Sequence, residues 1–321
     1  MNISKVLISD AVDKAAVDVL LKRNIEVDVK TKLTPSELIQ IIGNYDALIV
    51  RSATRVTKEV IDAGKKLKVI GRAGVGVDNI DVEAATQNRV LVINAPGGNT
   101  IAAAELTCIM ILSLARPLVA ACTKLKTGAW DKESFKGSEV MGKTLAIIGL
   151  GRIGREVARR MQAFNMRTIG YDPFVTPDVA RSFGVEFMEL EKIWPLADYI
   201  TLHVPLIEST RNLINPITLS KCKKGVMIIN CCRGGTVSET ALVEALNSGQ
   251  AGGAGLDVFE EEPCKFTELL QHPKVICTPH LGASTKEAQI KVAEEISLQF
   301  LTLMDGDSLA VPGAVNANQI S

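Results

Sequence analysis

The sequence has no excess of charge of either sign. Its 321 residues include 36 Lys plus Arg and 36 Asp plus Glu, so the formal net charge is zero. Proteins that bind nucleic acid or membrane surfaces usually carry a strong field of one sign. The balance therefore argues against nucleic acid and membrane partners, and any anionic ligand has to be held by a local group of cations.

Cysteine pairs of the kind that hold metals or disulfide frameworks are absent. The seven cysteines are odd in number and none forms a C-x-x-C motif, which argues against both a zinc site and a disulfide-stabilised fold. We therefore expect no metal and a reducing, cytoplasmic location. Lys5, Asp10 and Asp13 stand where a secretion signal would have its apolar core, which agrees with that location.

Long apolar runs are also missing. The longest apolar region, 101–121, is interrupted by Glu105, Arg116 and Pro117, whereas a membrane-spanning helix needs about 20 apolar residues. We interpret this region as part of one buried helix from about Thr100 to near Lys126. Hydrophobic residues still make up 47% of the chain, which is typical of a globular protein, and the length suggests two domains.

An apolar run, a glycine turn, a helical pattern and a second apolar run follow one another from 144 to 172. The turn has the spacing G-x-G-x-x-G at Gly149, Gly151 and Gly154. These glycines permit a tight turn, approach of a pyrophosphate and close packing of helix on strand. Asp172 ends the second run, where an acid binds the adenosine ribose and repels the 2′-phosphate of NADP. The stretch therefore predicts an NAD site.

Short aliphatic runs alternate with helical patterns along most of the chain, as in parallel sheets covered by helices. The turn at 96–99 interrupts this alternation, and a helical pattern after residue 284 is expected to return to the first domain. We predict an α/β protein with a Rossmann NAD-binding domain at 97–283. A flavodoxin-like substrate-binding domain, discontinuous in sequence, is predicted at 1–96 and 284–321, with a cleft between the domains.

Oxidation of an alcohol with NAD needs a proton acceptor, and the three histidines are the first candidates. His203 ends a predicted strand and could face the cofactor, whereas His272 lies in a Gln-His-Pro turn. His280 follows an aliphatic strand, so its ring is expected at the edge of the sheet. Pro279 and Gly282 restrict the backbone that aims this ring.

Two further charged groups follow strands of the same predicted sheet. A carboxylate stabilises the protonated form of an imidazole, and the run Glu260-Glu261-Glu262 offers three. Two of these acids are expected to be solvated, and the residues alone do not say which. Arg233 could orient a substrate. Complementary groups just beyond strand ends of one sheet indicate a catalytic site.

Five segments carry a family resemblance. They begin at Gly71 (G-R-A-G-V-G-V-D-N-I-D), Gly149 (G-L-G-R-I-G-R-E), Asn230 (N-C-C-R-G-G-T-V-S-E), Gly255 (G-L-D-V-F-E-E-E-P) and Pro279 (P-H-L-G-A-S-T-K-E-A-Q). The whole chain resembles the NAD-dependent D-2-hydroxyacid dehydrogenases through these segments. It is most similar to the branch of that family that oxidises D-3-phosphoglycerate.

The resemblance implies site residues. It implies catalytic roles for Arg233, Glu262 and His280, which selects the third acid of the run. The implied contacts of NAD are Val75, Gly149, Gly151, Arg152, Ile153, Gly154, Asp172, Val204, Cys231, Arg233, Asp257, His280, Leu281, Gly282 and Ala283. The implied contacts of the substrate are Arg51, Arg72, Gly74, Val75, Asn99, Arg233, His280 and, from a neighbouring subunit, Lys132.

Residue chemistry supports part of this assignment. Arg51 and Arg72 follow separate strands of the first domain, and a phosphate favours the forked, permanently charged guanidinium. Trp130 and Lys132 lie in a loop that in relatives can reach the neighbouring subunit, although Trp130 by itself would be expected in a core. We expect a homodimer or homotetramer, with the apolar helix after Thr100 as a candidate interface.

The resemblance implies an enzyme that oxidises D-3-phosphoglycerate to 3-phosphohydroxypyruvate, the first step of phosphorylated L-serine biosynthesis. Two alternatives remain open. A glyoxylate or hydroxypyruvate reductase would share the three catalytic residues but would have no phosphate to bind. An NAD-sensing binding protein of the corepressor type would share the fold without turning over phosphorylated hydroxy acids.

Overall fold

The computed structural model describes residues 1–306 and 311–320 of the chain, which form two compact units. Unit 1 comprises Met1–Thr100 and Ala283–Ser321, and unit 2 comprises Ile101–Gly282. The strands are β1 (Lys5–Ile8), β2 (Glu26–Val29), β3 (Ala47–Val50), β4 (Val69–Arg72), β5 (Leu91–Asn94), β6 (Thr144–Ile148), β7 (Arg167–Tyr171), β8 (Glu186–Phe187), β9 (Tyr199–Leu202), β10 (Val226–Asn230), β11 (Ala251–Leu256) and β12 (Val275–Cys277).

Helices separate most of these strands, which gives the α/β alternation that the sequence predicts. The helices are α1 (Ala15–Leu21), α2 (Pro35–Ile42), α3 (Lys58–Ala63), α4 (Val82–Gln87), α5 (Thr100–Ala115), α6 (Leu118–Lys126), α7 (Arg152–Ala163), α8 (Pro177–Ser182), α9 (Leu190–Ile193), α10 (Pro216–Lys221), α11 (Glu239–Ser248), α12 (Thr267–Leu270), α13 (Lys286–Met304) and α14 (Ala317–Ile320).

The sheet of unit 1 is parallel and has the strand order β2-β1-β3-β4-β5. This is the order of flavodoxin-like doubly wound folds. β3 is buried along its whole length, as expected for a strand covered on both faces. The late helix α13 contributes Val292, Ile296 and Phe300 to the core of this unit. The C-terminal part of the chain therefore completes the fold of the N-terminal part.

The sheet of unit 2 is also parallel and has seven strands in the order β12-β11-β10-β9-β6-β7-β8. Read from β8, its first six strands follow the Rossmann order 3-2-1-4-5-6, so the strand order reverses between β6 and β9. All five residues of β6 are buried. Ligands of such sheets bind beyond the carboxyl ends of the strands near this reversal, which here is the end of β6 at the glycine turn.

The single long helix predicted from Thr100 to near Lys126 is wrong, because the structure has two helices. α5 and α6 meet at 69° around Arg116-Pro117. Proline has no N–H to donate within a helix and its ring collides with the preceding turn, so the helix ends before it. No single helix of the described residues is long and apolar enough to cross a membrane, and α5 with α6 meets that criterion only as a bent pair.

Candidate active site

The glycine turn at the end of β6 allows α7 to start against the strand. Gly149 has φ +97°, which is a left-handed conformation. A Cβ at Gly154 would lie 2.1 Å from the carbonyl oxygen of Gly149, so only glycine lets the helix pack this closely. Apart from Gly151 itself and its two chain neighbours, no atom of the described residues lies within 4 Å of the position that a Cβ of Gly151 would take. The space beside the start of the helix is thus open.

The start of α7 is suited to an anion. No side chain in the described part of the chain caps its N-terminus at Gly151, so the first N–H groups and the positive end of the helix dipole are available to a ligand. Asp172 lies beside this turn, where one carboxylate oxygen accepts a hydrogen bond from the Leu150 N–H at 2.8 Å and the other accepts one from Phe174 N–H at 2.8 Å. A pyrophosphate and an adjacent ribose fit this arrangement.

His280 contacts Glu262, the third acid of the run. Their closest atoms, Nδ1 of His280 and Oε2 of Glu262, are 2.7 Å apart. Burial alone would raise the pKa of Glu262, but the hydrogen bond with His280, together with the charge of Arg233, holds that pKa below its usual value. Glu262 is therefore ionised at neutral pH and faces the imidazole as a carboxylate.

The turn that carries His280 is shaped by Asp257, which is fully buried after β11. The Asp257 carboxylate accepts hydrogen bonds from Leu281 N–H at 2.6 Å, Gly282 N–H at 2.8 Å and the Thr278 hydroxyl at 2.6 Å. His280 itself has φ +55° and donates its N–H to the Asp257 carbonyl at 2.9 Å. This backbone conformation is uncommon for a residue with a side chain, and Asp257 provides the contacts that stabilise it.

Arg233 lies in the turn after β10. Its carbonyl oxygen accepts hydrogen bonds from Asn230 Nδ2 at 3.0 Å and from the Thr236 hydroxyl at 2.8 Å, and its Nη1 donates to the Cys232 carbonyl at 2.6 Å. A Cβ at Gly234 would lie 1.7 Å from the carbonyl oxygen of Phe259. The turn that holds Arg233 therefore packs directly against the segment that leads to Glu262.

Two glutamates join the start of α11 to the acid run through hydrogen bonds. Glu260 accepts a hydrogen bond from Glu239 N–H at 3.0 Å, and Glu239 accepts one from Glu260 N–H at 2.7 Å. Burial raises the pKa of Glu239 and the charge of Glu260 adds to this effect, while the hydrogen bond from Glu260 opposes it. Glu260 and Glu261 are both exposed, as expected for two acids of the run, and Glu261 pairs with Lys265.

The other two histidines have different surroundings. Nε2 of His203 lies 3.1 Å from the Thr201 hydroxyl, and burial lowers the pKa of His203 to about 3, so its ring is neutral. Nδ1 of His272 accepts a hydrogen bond from Lys274 N–H at 3.2 Å. Only His280 pairs with a carboxylate among the histidines, all of which lie in the described ranges.

Two more of the implied cofactor contacts, Val204 and Cys231, lie in unit 2. A Cβ at Gly149 would lie 3.1 Å from Val204 Cγ1, so Val204 borders the turn. Cys231 is buried directly after β10, and burial raises the pKa of its thiol. Its thiol is consequently neutral and unreactive.

The implied substrate residues of unit 1 lie at the carboxyl ends of β3, β4 and β5. The Arg72 guanidinium covers Gly74, because a Cβ there would lie 1.8 Å from Nη1. Asn94 Nδ2 donates to the Val75 carbonyl at 2.5 Å. Asn99 Oδ1 is buried without a hydrogen-bond partner among the described residues, which is the state expected of a group that meets a ligand.

The loop between α6 and β6 differs from the sequence expectation at Trp130. This side chain is 81% exposed, so the expectation of a core position is wrong. Lys132 is exposed two residues later. A short 3-10 helix at Glu133–Phe135 interrupts the loop.

Comparison with known proteins identifies the family. The family model described as "D-isomer specific 2-hydroxyacid dehydrogenase, NAD binding domain" matches residues 108–282, more than half of the chain. The chain belongs to the D-isomer specific 2-hydroxyacid dehydrogenases. Its glycine turn and Asp172 lie within the matched NAD-binding domain, so the cofactor of this domain is NAD, as the sequence predicts.

Named enzymes are similar to this chain in sequence. D-3-phosphoglycerate dehydrogenases from Sus scrofa and Methanocaldococcus jannaschii are 54% identical over 320 residues and 48% identical over 304 residues. These alignments cover 100% and 94% of this chain but 60% and 58% of the relatives. The chain thus spans about three fifths of the length of the relatives that it matches.

Solved structures show the same fold. A glyoxylate reductase from Paecilomyes thermophila has a TM-score of 0.89 at 28% identity and covers 99% of this chain and 100% of its own. A D-lactate dehydrogenase from Aquifex aeolicus, complexed with NAD and lactic acid, has a TM-score of 0.86 at 26% identity, covering 97% and 98%. These two solved structures, a reductase and a dehydrogenase, therefore share the fold of this chain.

Proposed function

We propose that this chain catalyses the NAD-dependent oxidation of D-3-phosphoglycerate to 3-phosphohydroxypyruvate, the first step of phosphorylated L-serine biosynthesis. The observation that carries the proposal is the 2.7 Å contact between His280 and Glu262 at the carboxyl edge of the sheet of unit 2. Similarity to named D-3-phosphoglycerate dehydrogenases over the whole chain supports the choice of substrate.

His280 serves as the general base. Because Glu262 accepts the hydrogen bond of Nδ1–H, the lone pair of the imidazole is on Nε2. Nε2 takes the proton of the C2 hydroxyl group, and the carboxylate of Glu262 stabilises the imidazolium that forms. The second oxygen of Glu262 accepts a hydrogen bond from Phe259 N–H at 3.2 Å, which fixes the carboxylate while His280 changes charge.

Arg233 binds the carboxylate of the substrate and polarises the forming carbonyl group at C2. The chemistry that NAD supplies when bound is acceptance of the hydride from C2. The N-terminus of α7, with Arg152 and Ile153 at its first turn, would hold the pyrophosphate of NAD, and Asp172 would hold its ribose. Asp257 keeps the segment from His280 to Gly282 in place through its hydrogen bonds, and this segment would line the nicotinamide.

Residues of unit 1 bind the rest of the substrate in this proposal. Arg51 and Arg72 bind the phosphate group, since each offers a forked set of donors. The backbone of Gly74 and Val75 and the side chain of Asn99 complete the contacts. These groups distinguish the proposed substrate from hydroxy acids without a phosphate.

A substrate panel tests the proposal. D-3-phosphoglycerate and D-glycerate are assayed with NAD and NADP, and 3-phosphohydroxypyruvate, hydroxypyruvate and glyoxylate with NADH. We expect kcat/KM for D-3-phosphoglycerate to exceed that for D-glycerate by about tenfold or more, because a charge-assisted contact is lost without the phosphate. Arg51→Ala should abolish this preference, whereas Arg55→Ala, at an exposed position of the same loop, should retain it. Equal rates for glycerate would instead indicate the reductase, and tight NADH binding without turnover would indicate a binding protein.

Self-association as a homodimer or homotetramer is the partner state that we propose. Support comes from exposed apolar side chains on α5, α6 and the following loop: Ile109, Leu118, Val119, Leu125 and Trp130. An interface would cover this surface, and the same loop would bring Lys132 to the substrate of a second copy. Light scattering after gel filtration should give at least twice the monomer mass of 34.5 kDa, and Leu118→Glu should reduce that mass. A monomeric wild-type protein would overturn this proposal.

A further inference from the structure

The loop after β3, from Arg51 to Thr54, is held from one side by a buried acid. Asp10 is 5% exposed and follows β1. Its Oδ2 accepts hydrogen bonds from Arg51 N–H at 2.6 Å and from Thr54 N–H at 3.1 Å, and its Oδ1 accepts one from the Thr54 hydroxyl at 2.7 Å. One carboxylate thus fixes both ends of the loop.

The side-chain amide of Asn79 binds the carbonyl groups of the same two loop residues. Nδ2 of Asn79 donates to the carbonyl oxygens of Arg51 at 2.7 Å and Thr54 at 2.6 Å. The N–H and C=O groups of both end residues are therefore bound by two side chains, Asp10 and Asn79. These two residues lie 41 and 28 positions away from Arg51 in the sequence, so the arrangement depends on the folded unit.

The guanidinium of Arg51 is also held at this place. Its Nη1 donates to the carbonyl oxygen of Ala11 at 3.2 Å, and Ala11 directly follows Asp10. Its Nε is buried without a hydrogen-bond partner among the described residues. An arginine of this kind retains donors for an anion while hydrogen bonds hold its backbone N–H and carbonyl group.

We propose that Asp10 and Asn79 are positioning residues that fix the Arg51 loop so that its guanidinium meets the anionic group of the substrate. The inference rests on the proposed function, which assigns the substrate phosphate to Arg51. A rigid loop reduces the conformational freedom that the arginine would lose on binding. Loosening the loop should therefore weaken substrate binding and leave NAD binding unchanged.

Two substitutions remove the two sides of this support. Asp10→Ala removes the acceptors of both N–H groups, and Asn79→Asp places a carboxylate against two carbonyl oxygens at almost constant volume. Each should raise KM for D-3-phosphoglycerate by about tenfold, with kcat at saturating substrate and KM for NAD within about twofold of the wild type. Asp10→Asn, which retains one side-chain oxygen, should recover part of the affinity and is the variant to use if Asp10→Ala does not fold.

Matched controls in the same unit separate positioning from stability. Asp46 accepts hydrogen bonds from Ser4 and Lys5 N–H at 2.9 and 3.1 Å, but at the opposite edge of the sheet. Asn316 is 1% exposed and donates to the Val90 carbonyl at 3.0 Å. Asp46→Ala and Asn316→Asp should lower Tm as much as the test variants but leave KM for the substrate unchanged. Equal increases of KM in the controls would overturn the proposal.

A double-mutant cycle of Asp10→Ala with Arg51→Ala gives the decisive measurement. If Asp10 acts through Arg51, its substitution should change KM by less than about twofold when Arg51 is already alanine. Additive effects, or no effect of Arg51→Ala alone, would contradict the inference. The proposed function is tested by a different measurement. It fails if the wild type shows no preference for the phosphorylated substrate. The cycle is then measured with the best hydroxy acid, and the same two outcomes decide it.

Discussion

At the residue scale, the contact between Glu262 and His280 makes a prediction about pH. Glu262→Gln keeps the shape of the side chain but removes the charge that stabilises the imidazolium. We expect kcat/KM to fall by about 10²-fold. Because Glu262 has a lowered pKa, it is ionised throughout the neutral range, so the wild-type enzyme has this support at every working pH. In the variant, the pH of half-maximal kcat/KM should shift to a lower value, because the imidazolium has lost the charge that stabilises it. A profile of kcat/KM from about pH 5 to 9 measures this shift.

The matched control is the neighbouring acid of the same run. Glu261 is exposed and pairs with Lys265, so Glu261→Gln should leave both the rate and the pH profile unchanged. His280→Ala should lower kcat by about 10² to 10⁴-fold, the usual contribution of a positioned base. If His280→Ala retained full turnover, the assignment of the base would be wrong.

The acid run also indicates what the sequence alone could predict at this scale. Three consecutive glutamates are chemically alike, and family resemblance, rather than composition, selected Glu262. The reciprocal hydrogen bonds of Glu260 and Glu239 join residues 21 positions apart. No local pattern indicates such a pair, because each acid by itself is typical of a solvated loop or a helix start. Likewise, Trp130 looked like a core residue, although it is exposed.

At the scale of elements, the close approach of α7 to the glycine turn makes a prediction about two glycines. Gly154→Ala would bring a Cβ within 2.1 Å of the Gly149 carbonyl, so the helix has to move. We expect a lower Tm, about tenfold weaker NAD binding and a loss of stability of about 1–3 kcal/mol, as for other overpacked sites. Calorimetry and NAD titration by fluorescence measure these effects.

Gly151→Ala provides the comparison for this prediction. The new methyl group has open space in the free protein, but it would occupy the place where a pyrophosphate approaches the helix. We therefore expect an almost unchanged Tm together with weak NAD binding. If both variants bound NAD like the wild type, the turn would not be the pyrophosphate site.

Helices and strands with a strong local signal were predictable. The strand at 144–148, the turn and the helix that follows agree with the structure because each depends on residues within one short stretch. The break between α5 and α6 was missed although Pro117 was noted, because apolar residues on both sides suggested one buried helix. The short elements α8, β8 and α12 carry too few residues for a periodic pattern.

At the scale of the whole molecule, each unit has an aspartate just before one strand that binds the first residue of the neighbouring strand. Asp46 precedes β3 and accepts a hydrogen bond from the N–H of Lys5, the first residue of β1, at 3.1 Å. Asp198 precedes β9 and accepts one from the N–H of Thr144, the first residue of β6, at 2.8 Å. Each aspartate also donates its own backbone N–H to the carbonyl oxygen of that partner, Lys5 or Thr144, at 2.9 Å. The correspondence is structural and was not evident as a repeat in the sequence.

A lysine completes each of these acidic sites. Asp46 pairs with Lys68 at 2.9 Å, and Asp198 pairs with Lys223 at 2.9 Å. Burial alone would raise the pKa of either carboxyl group. Hydrogen bonds from Ser4 and Lys68 at Asp46, and from Thr144 and Lys223 at Asp198, instead hold both pKa values below their usual range.

This pair of sites predicts how the chain unfolds in acid. A carboxyl group whose pKa is lower in the folded state stabilises the fold above its unfolded pKa of about 4, and this stabilisation is lost as the pH falls through the folded pKa. Both units should therefore lose stability below about pH 4. Asp46→Asn and Asp198→Asn should each cost about 1–3 kcal/mol at pH 7 and should flatten the dependence of the unfolding free energy on pH. Urea titrations from about pH 3 to 7 measure this dependence, and variants with the same acid sensitivity as the wild type would show that these carboxylates do not control it.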